Sequence, residues 1–365
     1  MKNGWSLKIA TVSGIPIYLH GTFLALIAFI VISDWAREQD LAGALSGVLF
    51  VLAIFATIVL HELGHALMAK RYGIRTRDIT LLPIGGIARL ERMPDVPRQE
   101  LWVALAGPAV NVGLAALALL LIVSTAAPHV NLLDLFSGGL LGRFASTNLW
   151  LAGFNLIPAF PMDGGRALRA LLAEGGDYVR ATRIAANLGQ GLALLFGFIG
   201  LFSNPFLIFI ALFVWMGASG EAAAVEMRSA LSGVPITTAM MTSFRTLEAS
   251  DPLQQAVDLV LAGAQRDFPV MAQGRLVGIL TREALVAALA AREPATRVDE
   301  IMTREFVSAD WRELLEPAVR RLEGCRCQVL PVLRGNELIG IVTADNVGEF
   351  VMFRGALARQ MRSSP

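Results

Sequence analysis

Apolar residues run along the first two-thirds of this chain in blocks too long for the core of a soluble domain. They extend from Ile15 to Ser33, Leu45 to Arg71, Glu100 to about Val123, from about Leu140, Ile184 to Phe202 and Pro205 to Ser219. A helix needs about 20 apolar residues to cross the hydrocarbon of a bilayer, so the pattern predicts about six transmembrane helices. Between the second and third blocks, the segment Ile79 to Leu90 is apolar but too short to span, and Pro83, Gly85 and Gly86 interrupt it. It reads as a short β-hairpin or re-entrant loop, tolerated at membrane depth only if it packs on protein or lines water. An ordinary amphipathic cytosolic loop is the alternative. The fourth block ends at Pro158 and Pro161, which prevent continuous helix and free backbone groups there.

From Glu221 the pattern turns soluble, and a repeat of about 62 residues appears. Met240-Met241-Thr242 recurs as Ile301-Met302-Thr303, and the run from Gly274 to Thr281 recurs from Gly335 to Thr343. Each copy reads as strand, helix, two strands, helix, and neither is large enough to bury a sound core alone. The expected division is a transmembrane domain over 1–223, a linker over 224–233, one repeat over 234–293, a second over 294–353, and a tail over 354–365.

Composition agrees with a membrane domain joined to a soluble one. The 365 residues are 55% hydrophobic and 17% charged, and the net charge of +1 gives no reason to expect nucleic acid as a partner. Mean hydropathy is +0.59. Lys2 and Lys8 precede the first apolar block without an Ala-x-Ala cleavage site after it, so it is read as a transmembrane helix and not a secretory signal. The basic cluster Lys70, Arg71, Arg75, Arg77 and the run Arg166, Arg169, Arg180, Arg183 place their ends of the helices in the cytosol, together with the N-terminus and the repeats. The loop Ser203-Asn204-Pro205 carries no Lys or Arg, as an external loop should. Cys325 and Cys327, two apart on an expected strand, make no disulfide framework and read as reduced cytosolic thiols, with metal binding the alternative.

The chemistry is concentrated in the second block, at His61-Glu62-Leu63-Gly64-His65. A separation of four puts both imidazoles on one helix face, able to converge on a tetrahedral metal ion, with Glu62 beside it. Zinc with three protein ligands keeps one position open, and an adjacent carboxylate is suited to take a proton from water attacking a peptide carbonyl. The bland reading is a pair of histidines in a polar seam between helices. Asp163, after the two prolines, has two uses that stay open: a third metal ligand, or the N-cap of a helix starting near Gly165. Asn111, near the small residues Ala106-Gly107-Pro108, reads as a packing residue. His20 reads as an interfacial histidine bonded to a neighbour, with a role as gate or proton carrier the alternative, and His129 as an external loop residue.

With these pieces in place the chain resembles the site-2 proteases, intramembrane zinc metalloproteases of the M50 type, in the branch with C-terminal tandem cystathionine-beta-synthase (CBS) domains. His61-Glu62-Leu63-Gly64-His65 and the run Asn155-Leu156-Ile157-Pro158-Ala159-Phe160-Pro161-Met162-Asp163-Gly164 carry the resemblance, supported by Pro83-Ile84-Gly85-Gly86 and Ala106-Gly107-Pro108. It implies a multi-pass α-helical membrane domain followed by an α/β CBS pair in the cell membrane. It also implies one zinc per chain on His61, His65 and Asp163, Glu62 as general base, and Asn155 helping to hold substrate near the metal. The implied partners are membrane lipid and a single-span or membrane-associated substrate, such as an anti-sigma factor or sigma precursor. For the CBS pair the resemblance implies an adenine nucleotide such as ATP, or a homodimer contact. The aspartate of the family's Thr-x-x-Asp turn is replaced in both repeats, by Ala284 after Thr281 and by Asn346 after Thr343, which departs from ribose recognition. A CBS-regulated metal-ion transporter and a catalytically inactive membrane-protein binder are the competing readings.

Overall fold

Ser13 and Gly14 adopt left-handed backbone conformations, with φ of 53° and 85°, and reverse the chain between two strands where the hydropathy pattern predicts the start of a helix. The computed structural model describes residues 5–38, 41–82, 85–94, 96–125, 139–263, 265–291, 297–325 and 328–363. It divides the chain into two units, Met1–Ala223 and Ala224–Pro365.

In the first unit, β1 (Ser6–Val12) pairs antiparallel with β2 (Ile15–His20), and α1 begins only at Gly21 and runs to Glu38. The transmembrane helix expected from Ile15 is therefore corrected. Ile15 and Ile17 are buried in alternation, a period of two, and β2 pairs in parallel with β3 (Thr76–Leu82). A run of apolar residues does not distinguish helix from strand, and here the distant partner strand decides. β4 (Gly85–Leu90) pairs antiparallel with β3 to complete a four-stranded sheet in the order β1-β2-β3-β4. Pro83, Ile84 and His129 lie outside the described residues.

The sheet rests on α2 (Leu41–Arg71): Ile15, Ile17 and Ile79 pack with Leu63 and Ala66, on the same turns as the histidine pair. The other helices of this unit are α3 (Pro97–Thr125), α4 (Gly139–Asn155), α5 (Asp163–Ala173), α6 (Tyr178–Phe202) and α7 (Phe206–Leu231). Among the described residues four helical stretches are long and apolar enough to cross a membrane, at Gly47–Arg71, Pro97–Ser124, Tyr178–Phe202 and Phe206–Leu231. Six were expected from the sequence. The apolar part of α1 ends at Ser33, and α4 has 17 residues, so neither reaches that length.

His20 accepts a hydrogen bond from the backbone N–H of Thr22 at 3.3 Å, at the start of α1, so it ends in a local turn. The basic run after Asp163 is not uniformly solvated. Arg169 is 1% exposed and paired with Glu100, also 1% exposed, while Tyr178 donates to Glu100 Oε2 at 3.1 Å. Arg169 Nη1 also lies 3.3 Å from Glu221 Oε2. A buried guanidinium needs such partners, and these tie α3, α5, α6 and α7 together around one charge network.

The second unit holds the two repeats. In the first, β5 (Leu247–Glu248), α8 (Leu253–Ala262), β6 (Phe268–Ala272), β7 (Arg275–Leu280) and α9 (Arg282–Ala290) follow the expected order. After the short α10 (Val298–Ile301), the second has β8 (Ala309–Asp310), α11 (Leu315–Gly324), β9 (Val329–Arg334), β10 (Glu337–Thr343) and α12 (Ala344–Ser363). The repeats interlock. Met241 bridges to Ile341 of β10, and Thr303 of the second copy bridges to Ile279 of β7. A Cβ on Gly340 would sit 2.7 Å from Met240 Sδ, and one on Gly278 would sit 2.7 Å from Met302 Sδ. Each leading segment thus seals the sheet of the opposite copy, which is why one copy has no complete core. Cys325 is the C-cap of α11 and not a strand residue, and Cys327 lies outside the described residues.

Candidate metal centre

His61 and His65 project from one face of α2, four residues apart, and both are buried. Asp163 reaches them from the first residue of α5, whose N-cap is Met162; the carboxylate points at the histidines. Three atoms form a near-equilateral triangle. His61 Nε2 and His65 Nε2 are 3.1 Å apart, and Asp163 Oδ2 is 3.1 Å from His65 Nε2 and 3.2 Å from His61 Nε2.

The other ring nitrogens fix what those three atoms can do. His65 Nδ1 lies 2.7 Å from the carbonyl of Val103, which only accepts, so Nδ1 carries the hydrogen and Nε2 a lone pair. His61 Nδ1 donates to Asn111 Oδ1 at 2.5 Å, and Asn111 Nδ2 donates to Asn148 Oδ1 at 3.2 Å. In the neutral rings, two lone pairs and a carboxylate oxygen therefore face one point. Such an arrangement is repulsive without a cation and complementary to one. Zinc with bonds of about 2.0–2.1 Å places tetrahedral ligand atoms about 3.3 Å apart, close to the observed edges. The donor set, two imidazoles and a carboxylate, is one that zinc takes.

Glycines let the backbone close on this point. A Cβ on Gly107 of α3 would lie 2.2 Å from His65 Nε2 and 2.7 Å from His61 Nε2, inside the space for the ion. One on Gly64 would meet the carbonyl of Ala106 at 2.8 Å, so α2 and α3 approach closely at this level. Gly164 and Gly165 dock α5 against the loop before it, where a Cβ would fall within 2.3 Å of Ile157 O and 2.5 Å of Ala159 C. That contact sets the angle at which Asp163 enters.

A cavity of about 540 Å³ opens on the triangle. Glu62, Gly86, Asn155 and Arg166 line it along with Phe154 and Phe213. Glu62 lies against the hairpin: a Cβ on Gly86 would be 2.8 Å from its Cγ. Asn155 donates to the carbonyl of Leu151 at 3.0 Å, with its side chain at the cavity wall. The cluster thus brings together His61, Glu62, His65 and Asp163, with Asn155 at the rim. Asn111 is not merely a packing residue, since it orients His61. Its placement next to Gly107 in an apolar helix was the available signal, but the partner could not be read. Gly107 and Arg166 were also missed as site residues, because a glycine in a helix and an arginine in a basic run have commoner uses.

Residues 49–140 match the model of peptidase family M50, and residues 236–291 match that of the CBS domain. A zinc metalloprotease of Methanocaldococcus jannaschii is 38% identical over 279 residues, covering 76% of this chain and 78% of that protein. The chain belongs to peptidase family M50. As an M50 peptidase it is a zinc metalloendopeptidase with a CBS pair, and its apolar helices make it a membrane protein. Stage IV sporulation protein FB of Bacillus subtilis is 30% identical over 171 residues, 46% of this M50 peptidase and 56% of that protein. The solved site-2 protease of Methanocaldococcus jannaschii is 40% identical, covering 60% of this chain and 95% of its own, with a TM-score of 0.44.

Proposed function

We propose that this M50 peptidase hydrolyses peptide bonds within or at the edge of the membrane, near the cytosolic face, in single-span or membrane-associated proteins. The observation that carries the reading is the triangle of ligand atoms, His61 Nε2, His65 Nε2 and Asp163 Oδ2, with Glu62 in the cavity next to it. These three residues would hold zinc, which would supply Lewis acidity towards water and a peptide carbonyl. Glu62 takes the proton of the attacking water and passes it to the leaving amine, a role suited to a carboxylate that is next to the ligands but not one of them. Asn155 holds the substrate carbonyl from the cavity wall. The apolar walls exclude bulk water and suit the side chains of a membrane segment.

Substrate lies along β4, whose outer edge is unpaired among the described residues and whose Gly86 touches Glu62. An extended peptide added there gains main-chain hydrogen bonds without a sequence requirement. Helix α1 and helix α4 complete six membrane crossings, with the β3–β4 hairpin re-entrant, and the transmembrane domain 1–223 is joined by a linker at 224–233 to cytosolic CBS domains at 234–293 and 294–353 and a tail at 354–365. The CBS pair regulates access or presents substrate, and it forms the homodimer contact. In the second repeat Thr343 and Asn346 bond to each other at 2.6 Å, so the turn that holds an adenine nucleotide in the family is engaged locally. A nucleotide there binds weakly.

The deciding experiment co-expresses wild type or Glu62→Gln with a panel of tagged single-span proteins and measures cleavage and bound zinc for both. Cleavage by wild type alone, with zinc retained in both, is the expected result. If both forms hold zinc and cut nothing, or if cleavage survives Glu62→Gln, the reading fails, and ion flux becomes the measurement for the bound metal.

A further inference from the structure

Among the described residues lining the main cavity Arg166 is the one arginine or lysine, and nothing in the zinc chemistry above employs it. It lies three residues beyond Asp163 on α5, one turn along and on the same face. That helix is rigidly set, through the glycine contacts at its N-terminus and the buried Arg169–Glu100 pair one turn further on. The guanidinium is therefore presented from a fixed element, like Asp163 itself.

Its hydrogen bonding is incomplete. Nη2 meets Glu221 Oε1 at 3.3 Å, and Nε is buried with no hydrogen-bond partner among the described residues. Glu221 does not neutralise it alone, because the same carboxylate also pairs with Arg169 Nη1 at 3.3 Å. Of the other polar side chains of the cavity, Asn111 is bonded to His61 and Asn148 and Asp163 faces both histidines, while Glu62 and Asn155 have the roles given above. An arginine presents several donors in a planar fork matched to a carboxylate. Peptide hydrolysis turns a neutral amide carbonyl into a carboxylate on one product, and that is the only place on the substrate where negative charge appears.

We propose that Arg166 is a substrate-contacting residue whose guanidinium binds the new C-terminal carboxylate of the cleaved peptide and the charge developing on that carbonyl before it. The proposal rests on the peptidase reading of this cavity and adds to it a subsite for the acyl-side product. Atoms balance as in any hydrolysis: the C–N bond breaks, water supplies oxygen to the carbon and hydrogen to the amine, and Arg166 exchanges no proton. Glu221 keeps the fork turned towards the cavity.

The test uses the full chain in detergent with Glu62→Gln, so that nothing is cut. The probes are two N-acetylated hydrophobic hexapeptides of one sequence, one ending in a carboxylate and the other in a carboxamide. The carboxylate form is expected to bind about tenfold tighter, in line with a charge-assisted hydrogen bond. Adding Arg166→Gln brings the ratio close to one at unchanged zinc stoichiometry, and Arg166→Lys or free guanidinium ion restores part of it. Any contribution from the carboxylate touching zinc is common to all these proteins, so the change in ratio reports Arg166 alone. An undiminished ratio in zinc-loaded Arg166→Gln overturns the proposal, as does equal binding, or no binding, of the two peptides before Arg166 is altered. The outcome is separable from the peptidase reading, which stands or falls on cleavage by wild type and its loss in Glu62→Gln.

Discussion

Asp163 Oδ2 lies 3.1 Å from His65 Nε2 although 98 positions separate the two residues. No local interaction brings them together; α5 is placed by its glycine contacts with the preceding loop and by the charge network behind it. Replacing Asp163 with Ala leaves two imidazoles for the metal. Zinc measured by mass spectrometry on purified protein should fall well below one per chain, and stoichiometric zinc would show that the carboxylate is not a ligand.

Asn111 acts one bond further out. Replacing it with Leu keeps the helix but removes the acceptor for His61 Nδ1–H. Losing such an outer partner weakens metal binding by about 10–100-fold. Competition with a chelator of known affinity measures this, and an unchanged zinc affinity would return Asn111 to a packing role.

Gly107 and Gly113 lie on the same helix and differ in what a methyl group would meet. At Gly107 it would enter the space between the two Nε2 atoms, whereas at Gly113 nothing lies within 4 Å. Gly107→Ala should therefore lose zinc and activity together, and Gly113→Ala should keep both. Equal behaviour of the two variants would contradict the described geometry.

Arg169→Met leaves Glu100 buried without its cation. Breaking one side of a buried pair costs about 3–5 kcal/mol. Thermal unfolding in detergent should show a lowered transition, and the double change Arg169→Met with Glu100→Gln should recover part of it. If the single change leaves the transition where it was, the pair is not what holds α5 against α3.

Interlocking of the repeats predicts that Gly340→Val disturbs both copies, since the added groups strike Met240 Sδ and the carbonyl of Met241. Overpacking of this kind costs about 1–3 kcal/mol. Hydrogen exchange on the full chain should show lost protection across β10 and at the bridged residue Met241, with α2 of the first unit unaffected.

The His61-Glu62-x-x-His65 face was legible from the sequence because helix period is local: two residues four apart share a face whatever the rest of the chain does. The same locality made the proline-broken approach to Asp163 and the strand-helix-strand-strand-helix order of each repeat readable. Partners across the fold were not. The apolar stretch Ile15–His20 has no pattern that separates a strand from the start of a membrane helix, and its pairing with β3 decides for the strand. Asp163 stood open between helix cap and metal ligand, Asn111 read as a packing residue and Arg166 as one charge of a cytosolic basic run, since nothing local names their distant partners. Tertiary structure alone separates them, because hydrogen bonds, ligand triangles and buried charges depend on which distant groups arrive within about 3 Å, and residue spacing along one chain carries no such distance.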